Sequence, residues 1–342
     1  MADTAAPTAP TAARTDASAS ADPMAEFEPF RTELTGYCYR MLGSAFEAED
    51  AVQDTFVRAW RAYDRFEGRS SLRSWLYRIA TNVCHSMRGA SQRRARPMDL
   101  QPPRSADTPL PAPLPEATWI EPIPDGRVIP EAADPADLAE ARESVRLAFI
   151  AALQHLPPRQ RAVLILREVL RWHADEVAEL LETSVASVNS ALQRARATLA
   201  STRSGVDAPA RPMDDGQRQL LARYLDAFER YDMDGLTAVL QEDAVWNMPP
   251  FDLWLQTHDD IVKWCLGQGI ACDGSRLVPA GTANGMPAYG QYKPKPGGGW
   301  QPWSLQVIEL GEGKISGVTF FLDVEHLFPL FGLPLEYAGP DR

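Results

Sequence analysis

Apolar residues recur three and four apart along much of the first two hundred positions. They then give way to short apolar and alternating runs punctuated by glycine and proline. The first pattern is that of amphipathic helices, the second that of strands joined by turns. Residues 27–42 predict a helix with Phe30, Leu34, Tyr37, Cys38 and Met41 inward. A second helix spans 47–63, on Ala48, Val52, Phe56, Ala59 or Trp60, and Tyr63. Gly68 and its neighbouring serines break the pattern, and Arg73, Trp75, Leu76, Ile79, Val83 and Met87 fit a third helix. Further on, Leu138, Ala141, Val145, Ala148, Phe149, Ala152 and Leu153 predict one amphipathic helix. The turn LPPRQ follows, then a helix over 161–170.

Residues 174–200, ADEVAELLETSVASVNSALQRARATLA, read as helix, tight turn, helix. Val177, Ala178 and Leu181 share one face of the first helix. Val185, Val188, Leu192, Ala195 and Leu199 make the inner stripe of the second, and the small Ala178 lets the two cross closely. The outer face of the second carries Ser187, Asn189, Ser190, Gln193, Arg194 and Arg196, with no carboxylate. Short donors and acceptors flanked by cations suit the major groove, where base edges lie between phosphates. Beyond position 214 the plan changes: helices at 217–231, 233–240 and 259–267, and strand-like runs at 244–250, 276–280, 286–292, 303–310 and 314–322. This is an α+β unit with a curved antiparallel sheet. Its apolar tail, EHLFPLFGLPLEY, is expected to pack back onto the body.

Two stretches break the pattern. Residues 1–25 are small, polar and proline-bearing and predict a disordered tail without the features of a signal peptide. Residues 97–136 are dense in proline and predict a stiff linker. Within it Trp119, Ile120, Pro122, Ile123 and Pro124 (WIEPIPD) form an apolar island expected to dock on a domain. A shorter polar linker covers 205–213. A chain of 342 residues has room for two or three domains, and its net charge of −12 excludes a wholly basic nucleic-acid coat. The cysteines Cys38, Cys84, Cys265 and Cys272 are scattered without zinc-ligand spacing. They predict free thiols, no metal and no cofactor. No apolar run reaches membrane-spanning length, so a cytoplasmic protein with no membrane contact is expected.

Local charge is another matter. From Arg58 to Arg96 there are ten arginines against two acids, Asp64 and Glu67, interleaved with Trp60, Tyr63, Phe66, Trp75 and Tyr77. Cations that track phosphates and rings that stack bases are what single-stranded DNA binding needs. The second helix opens with Glu47, Glu49, Asp50 and Asp54, which suit the helix dipole and could also form a docking face for a basic partner.

In this order the parts resemble the sigma-70 family, in its extracytoplasmic-function (ECF) class. EAEDAVQDTFVRAW resembles the polymerase-binding helix of region 2, YDRFEGRSSLRSWLYRIATNVCHSMR its promoter-melting segment, and LPPRQRAVLILREV with the helix-turn-helix its region 4. The implied domains are region 2 at 26–96, region 4 at 137–204, both all-α, and an α+β extension at 214–342. YLDAFERYDMDGLTAVLQEDAVWNMPP in the extension resembles the SnoaL-like branch of the NTF2-like cone fold. The resemblance implies a promoter-specificity factor for bacterial RNA polymerase, with no chemistry of its own. Asp50, Gln53, Asp54 and Arg58 would bind the clamp of the largest polymerase subunit, and region 4 the flap of the second-largest. Phe66, Arg69, Ser70, Trp75, Arg78 and Asn82 would hold the unpaired −10 strand. Ser187, Asn189, Ser190, Gln193, Arg194 and Arg196 would read the −35 duplex.

Glu182 stands where many such turns carry glycine, which implies a slightly different turn. The extension, with Trp119, Glu121, Pro122 and Pro124 of the linker, would modulate activity in cis. Tyr224, Trp246, Asn247, Met248, Trp254 and Asp323 would line a pocket for an unknown small ligand. Asp252, His258 and Asp323 are the candidates there for a catalytic base. Two alternatives stand beside this reading: an extension that senses a ligand or keeps residual cyclase or isomerase activity, and a helix-turn-helix regulator that does not use polymerase. The acidic second helix argues against the latter.

Overall fold

The computed structural model describes residues 23–87, 93–130, 135–202, 213–337 and 339. The expected N-terminal tail lies outside the described residues as far as position 22. Its last residues open helix α1 (Pro23–Phe27) instead. The 205–213 linker also lies outside, save Met213.

The first helical domain packs α2 (Arg31–Leu42), α3 (Ala45–Ala62) and α4 (Leu72–Met87) around Leu34, Tyr37, Cys38, Met41, Val52, Phe56, Leu76 and Val83, as the periodicity predicts. Ser44 starts α3 by accepting from the Glu47 amide at 3.1 Å. Trp60 does not join this core and is 56% exposed, and Met87 also faces outward.

The linker is a packed strap. Ala95 N donates to Thr118 O at 2.8 Å and Ile120 N to Ala95 O at 3.2 Å. Trp119, Ile120 and Ile123 are buried, so the apolar island docks as expected. Each such side chain contributes about 1.5–3 kcal/mol by leaving water. The strap then makes one helical turn, α5 (Asp125–Val128), against α2. Gly36 permits that approach, since a Cβ there would stand 2.7 Å from Val128 O. The earlier part of the strap lies along the C-terminal domain, where Arg104 N donates to Trp254 O and Leu114 N to Pro250 O, both at 2.9 Å.

The single helix expected over 138–153 is two, α6 (Pro135–Glu143) and α7 (Leu147–Gln154). The break has a tertiary cause. Ser144 O and Oγ accept from Arg40 Nε and Nη2 of α2 at 3.2 and 2.7 Å, and Val145 O accepts from Asn284 Nδ2 at 2.6 Å. Carbonyls so engaged are drawn out of the i→i−4 ladder. Next come α8 (Pro158–Leu164), with a π-helical extension over Ile165–Val169, then α9 (Ala174–Leu180) and α10 (Val185–Thr202).

The C-terminal domain sets α11 (Asp215–Glu229), α12 (Met233–Val239) and α13 (His258–Leu266) beside a six-stranded sheet, and ends in α14 (Val324–Leu330). The strands are β1 (Leu240–Asn247), β2 (Trp254–Leu255), β3 (Arg276–Ala283), β4 (Met286–Pro294), β5 (Trp300–Leu310) and β6 (Ile315–Phe321), in the order β2-β1-β6-β5-β4-β3. The sheet is mixed, because β1 runs parallel to β6, and the short β2 was not expected. The strands carry register shifts that curve the sheet. One core of this domain is its own, around Tyr224, Phe228, Trp246 and Phe320. A second apolar cluster, with Ala283, Met286, Tyr292 and Phe328, is continuous with the core of both helical domains. The apolar tail joins it, Tyr292 and Phe328 meeting edge to face at 5.2 Å.

Candidate nucleic-acid interface

Helix α10 presents the expected polar face. Asn189, Ser190, Gln193, Arg194 and Arg196 are exposed and Ser187 half-buried, while Val188, Leu192 and Ala195 are buried. Val185, expected on the inner stripe, is 42% exposed, because it lies at the first position of the helix, beyond the crossing with α9. Arg194 Nη1 donates to Ser190 Oγ at 2.7 Å, and Arg196 Nε to Glu168 Oε1 at 2.8 Å. Both are exposed contacts that DNA phosphates can replace. Glu182 adopts φ +50°, so the turn keeps the left-handed conformation that glycine usually supplies, at about 1–2 kcal/mol. The expectation of a different turn is corrected: the shape is retained with a costlier residue.

The aromatic face also forms. Phe66 and Trp75 lie 4.8 Å apart between ring centroids, and Tyr63 stacks on Phe66 at 6.3 Å. Arg69, beside them, pairs with Glu67, and Ser70 is half-buried. Along α4 the same face continues to Arg78 and Asn82, and there it meets α9. Arg78 Nη2 donates to Glu179 O at 3.4 Å. Arg78, Asn82 and His85 share a cleft of about 490 Å³ with Pro157, Arg159 and Leu180–Glu182. Burial holds the His85 imidazole below its ordinary range, and Arg159 and Arg161 push the same way. Trp172 closes the seam: it is buried against Tyr77 at 5.0 Å, with the Arg73 guanidinium 5.0 Å from its ring. Arg73 also pairs with Glu33.

The end of α2 ties the parts together. The Tyr39 hydroxyl donates to Glu121 O at 2.7 Å and accepts from Asn284 Nδ2 at 2.7 Å. Arg40 holds Ser144, and Met41 O accepts from the buried Arg161 of α8. Burial lowers the Arg40 guanidinium to about 10. Nearby, Glu121 Oε2 accepts from Ser44 Oγ at 2.5 Å and Oε1 from Arg94 at 3.2 Å, and Arg94 also reaches Glu47. Burial raises the Glu121 carboxyl to about 7 against the pull of Arg94. Pro122 and Pro124 lie in the same strap, Pro124 bridging to Ala283. Trp172, Arg161 and Asn284 were missed at the level of sequence. LPPRQR names Arg161, and Asn284-Gly285 carries a hairpin-turn signal, but neither motif says what its side chain touches.

On α3, Asp50, Gln53 and Arg58 are exposed, and Arg58 pairs with Asp54 at 2.7 Å. Val57 and Trp60 are exposed on the same helix and give this polar face an apolar part.

The expected pocket does not assemble as named. A cavity of about 60 Å³ in the cone is lined by Trp246, Asn247 and Met248, with Phe228, Trp264 and Phe320. That is room for a few waters at most. Tyr224 is wholly buried, with its hydroxyl on Gln306. Trp254 turns to the strap and donates to Gln101 O at 2.8 Å, and Asp323 sits in another cleft, paired with His326. The three base candidates do not converge: Asp252 holds Arg104, His258 meets Gln241 O, and Asp323 holds His326. Among the described residues no group of His, Cys, Asp and Glu could hold a metal, and no helix is long and apolar enough to cross a membrane.

An aromatic, arginine-bearing face on one helical domain, a helix with a polar outer face on another and an acid-bearing helix beside the first fit the class of transcription-initiation factors. Residues 27–94 match the Sigma-70 region 2 family model and residues 146–199 that of Sigma-70 region 4. The chain is 46% identical over 312 residues to the ECF RNA polymerase sigma factor SigG of Mycobacterium tuberculosis, covering 91% of this chain and 83% of that one. It is 25% identical over 252 residues to SigJ of the same organism, covering 71% and 72%. The crystal structure of SigJ covers 91% of this chain and 99% of its own, at a TM-score of 0.57 and 22% identity, and shares the fold. The chain belongs to the ECF sigma factors of RNA polymerase. It binds core RNA polymerase and promoter DNA and confers promoter specificity, and the catalytic chemistry of transcription belongs to the polymerase.

Proposed function

We propose that the free chain holds its two promoter-reading domains packed against each other in a closed arrangement, and that they separate on core polymerase. The observation that carries this is the packing of region 4 on α4, where Arg78 Nη2 donates to Glu179 O of α9 and Tyr77 meets Trp172. Elements at −35 and −10 lie roughly 25 base pairs apart, about 85 Å of duplex at 3.4 Å per pair. Two domains packed together as α4 and α9 are do not set their reading faces that far apart. In the open form Asp50, Gln53, Asp54 and Arg58 engage the clamp of the largest subunit, with Val57 and Trp60 supplying the apolar part of the contact, and region 4 engages the flap of the second-largest. Phe66, Arg69, Ser70, Trp75, Arg78 and Asn82 then capture the −10 strand. Ser187, Asn189, Ser190, Gln193, Arg194 and Arg196 read the −35 duplex. The C-terminal domain acts in cis and without catalysis, through the strap and the sheet face that it shares with the helical core. The double variant Asp50→Lys/Asp54→Lys tests the assignment of α3: transcription with core polymerase should be lost while binding to −35 duplex stays unchanged. Retained transcription removes α3 from the polymerase contact.

A further inference from the structure

The turn between β3 and β4 of the C-terminal domain reaches out of its own sheet and ends among residues of every other part of the chain. Asn284, at its tip, has no exposed surface and sits at φ +54°. Its Nδ2 donates to Tyr39 Oη of region 2 at 2.7 Å and to Val145 O at the α6–α7 break at 2.6 Å. Its Oδ1 accepts from Ile123 N of the strap at 3.0 Å, and its own amide donates to Ile123 O at 3.1 Å. Gly285 N, the next residue, donates to Asp125 Oδ1 at 2.8 Å. One amide side chain therefore uses both hydrogens and its oxygen on three separate segments. The left-handed backbone that aims it is one asparagine tolerates better than most residues.

We infer that Asn284 is the latch through which the C-terminal domain holds regions 2 and 4 in the closed arrangement, an inference that rests on the reading of that arrangement given above. The bonds are specific to it. Val145 O is available only because the helix is broken at 144–146, and Tyr39 lies beside Arg40 and Met41, which hold Ser144 and Arg161 of the second helical domain. Separating regions 2 and 4 moves Tyr39 away from Val145, so Nδ2 cannot keep both acceptors. The latch thus opposes opening, and with it polymerase binding, because a partner that takes only the open form binds more weakly by the fraction of chains that are closed.

The test uses the full-length chain, with fluorophores on cysteines placed at the exposed positions Ser86 and Ala186, and titration with core RNA polymerase. Asn284→Gly keeps the left-handed turn and removes the side chain. Asn284→Asp keeps the turn and the acceptor for Ile123 N but loses both donations. Both variants should lower energy transfer in the free chain and tighten core-polymerase binding tenfold or more. Their circular dichroism should match that of the unsubstituted chain, showing an intact C-terminal domain. If the unsubstituted chain is closed and both variants match it in energy transfer and affinity, the latch is refuted while the closed arrangement stands. If the unsubstituted chain already shows low transfer, the closed arrangement itself fails, and the latch with it.

Discussion

The two surfaces proposed to face DNA differ in how far the rest of the chain covers them. The face of α10 is open, and its arginines are engaged only by exposed partners that DNA can displace. On the α4 side Phe66, Trp75 and Arg78 are half-buried and Asn82 is exposed, and α9 reaches this face at Arg78, whose Nη2 donates to Glu179 O. The difference comes from where each helix sits in the apolar core. Helix α10 packs on one side only. Helix α4 lies between α2, α3 and α9, with Tyr77 and Trp172 sealing the seam. On the proposed reading the duplex-reading face is fully formed in the free chain, whereas the strand-reading face is partly engaged by α9.

The largest expected effect comes from removing the pin between the two helical domains that carry these surfaces. Arg161→Met strips the donors from the carbonyls of Met41, Gln154 and Leu156. Stability should fall by about 3 kcal/mol in urea unfolding, since each buried acceptor left bare costs about 1–3 kcal/mol. Region 2 should share in the loss, because Met41 belongs to it. A loss confined to region 4 would show that the domains are uncoupled.

Smaller effects should separate the surfaces. With core polymerase bound, Phe66→Ala should weaken capture of the −10 strand by about 1–3 kcal/mol and leave −35 duplex affinity alone. Arg194→Ala should do the reverse. If Arg194 contacts only phosphate, the variant flattens the salt dependence by about one unit at every promoter; if it reads a base, discrimination falls at one position. An Arg194→Ala effect on strand capture in a duplex-free assay would break the comparison.

The smallest effect is a pH slope in the strap. Burial raises Glu121 to about 7, with Arg94, Ser44, Glu116 and Glu47 around it. The folded chain thus holds this proton more tightly than the unfolded chain, whose carboxyl titrates near 4.5. Stability should be full below that value and fall as pH rises towards 7. Glu121→Gln should flatten the melting temperature over this window, and an unchanged slope would assign the titration elsewhere.

Much of the fold was legible because a 3.6-residue period and a buried stripe are the same fact seen twice. The cores of α2, α3 and α4 and the polar face of α10 follow from it, while the docking of Trp119 and Ile120 was legible as an apolar island in a proline-rich stretch. What stayed illegible is set by contacts distant in sequence. The helix break at Ser144–Arg146 is imposed by Arg40 and Asn284, and α6 alone carries no breaking residue there. The parallel pairing of β1 with β6 follows from the course of the chain and not from apolar alternation. The pocket failed for the same reason: Trp254 and Asp323 are near it in sequence order, yet the strap and His326 draw them elsewhere. Trp172 lies between two predicted helices, outside either stripe, and is the seam between domains.

The most direct test of the closed chain is the distance between Ser86 and Ala186 in the full-length protein, measured by single-molecule energy transfer before and after core RNA polymerase is added. High transfer in the free chain, collapsing to a long distance on the polymerase, is the expected result. The same long distance in both states would contradict it.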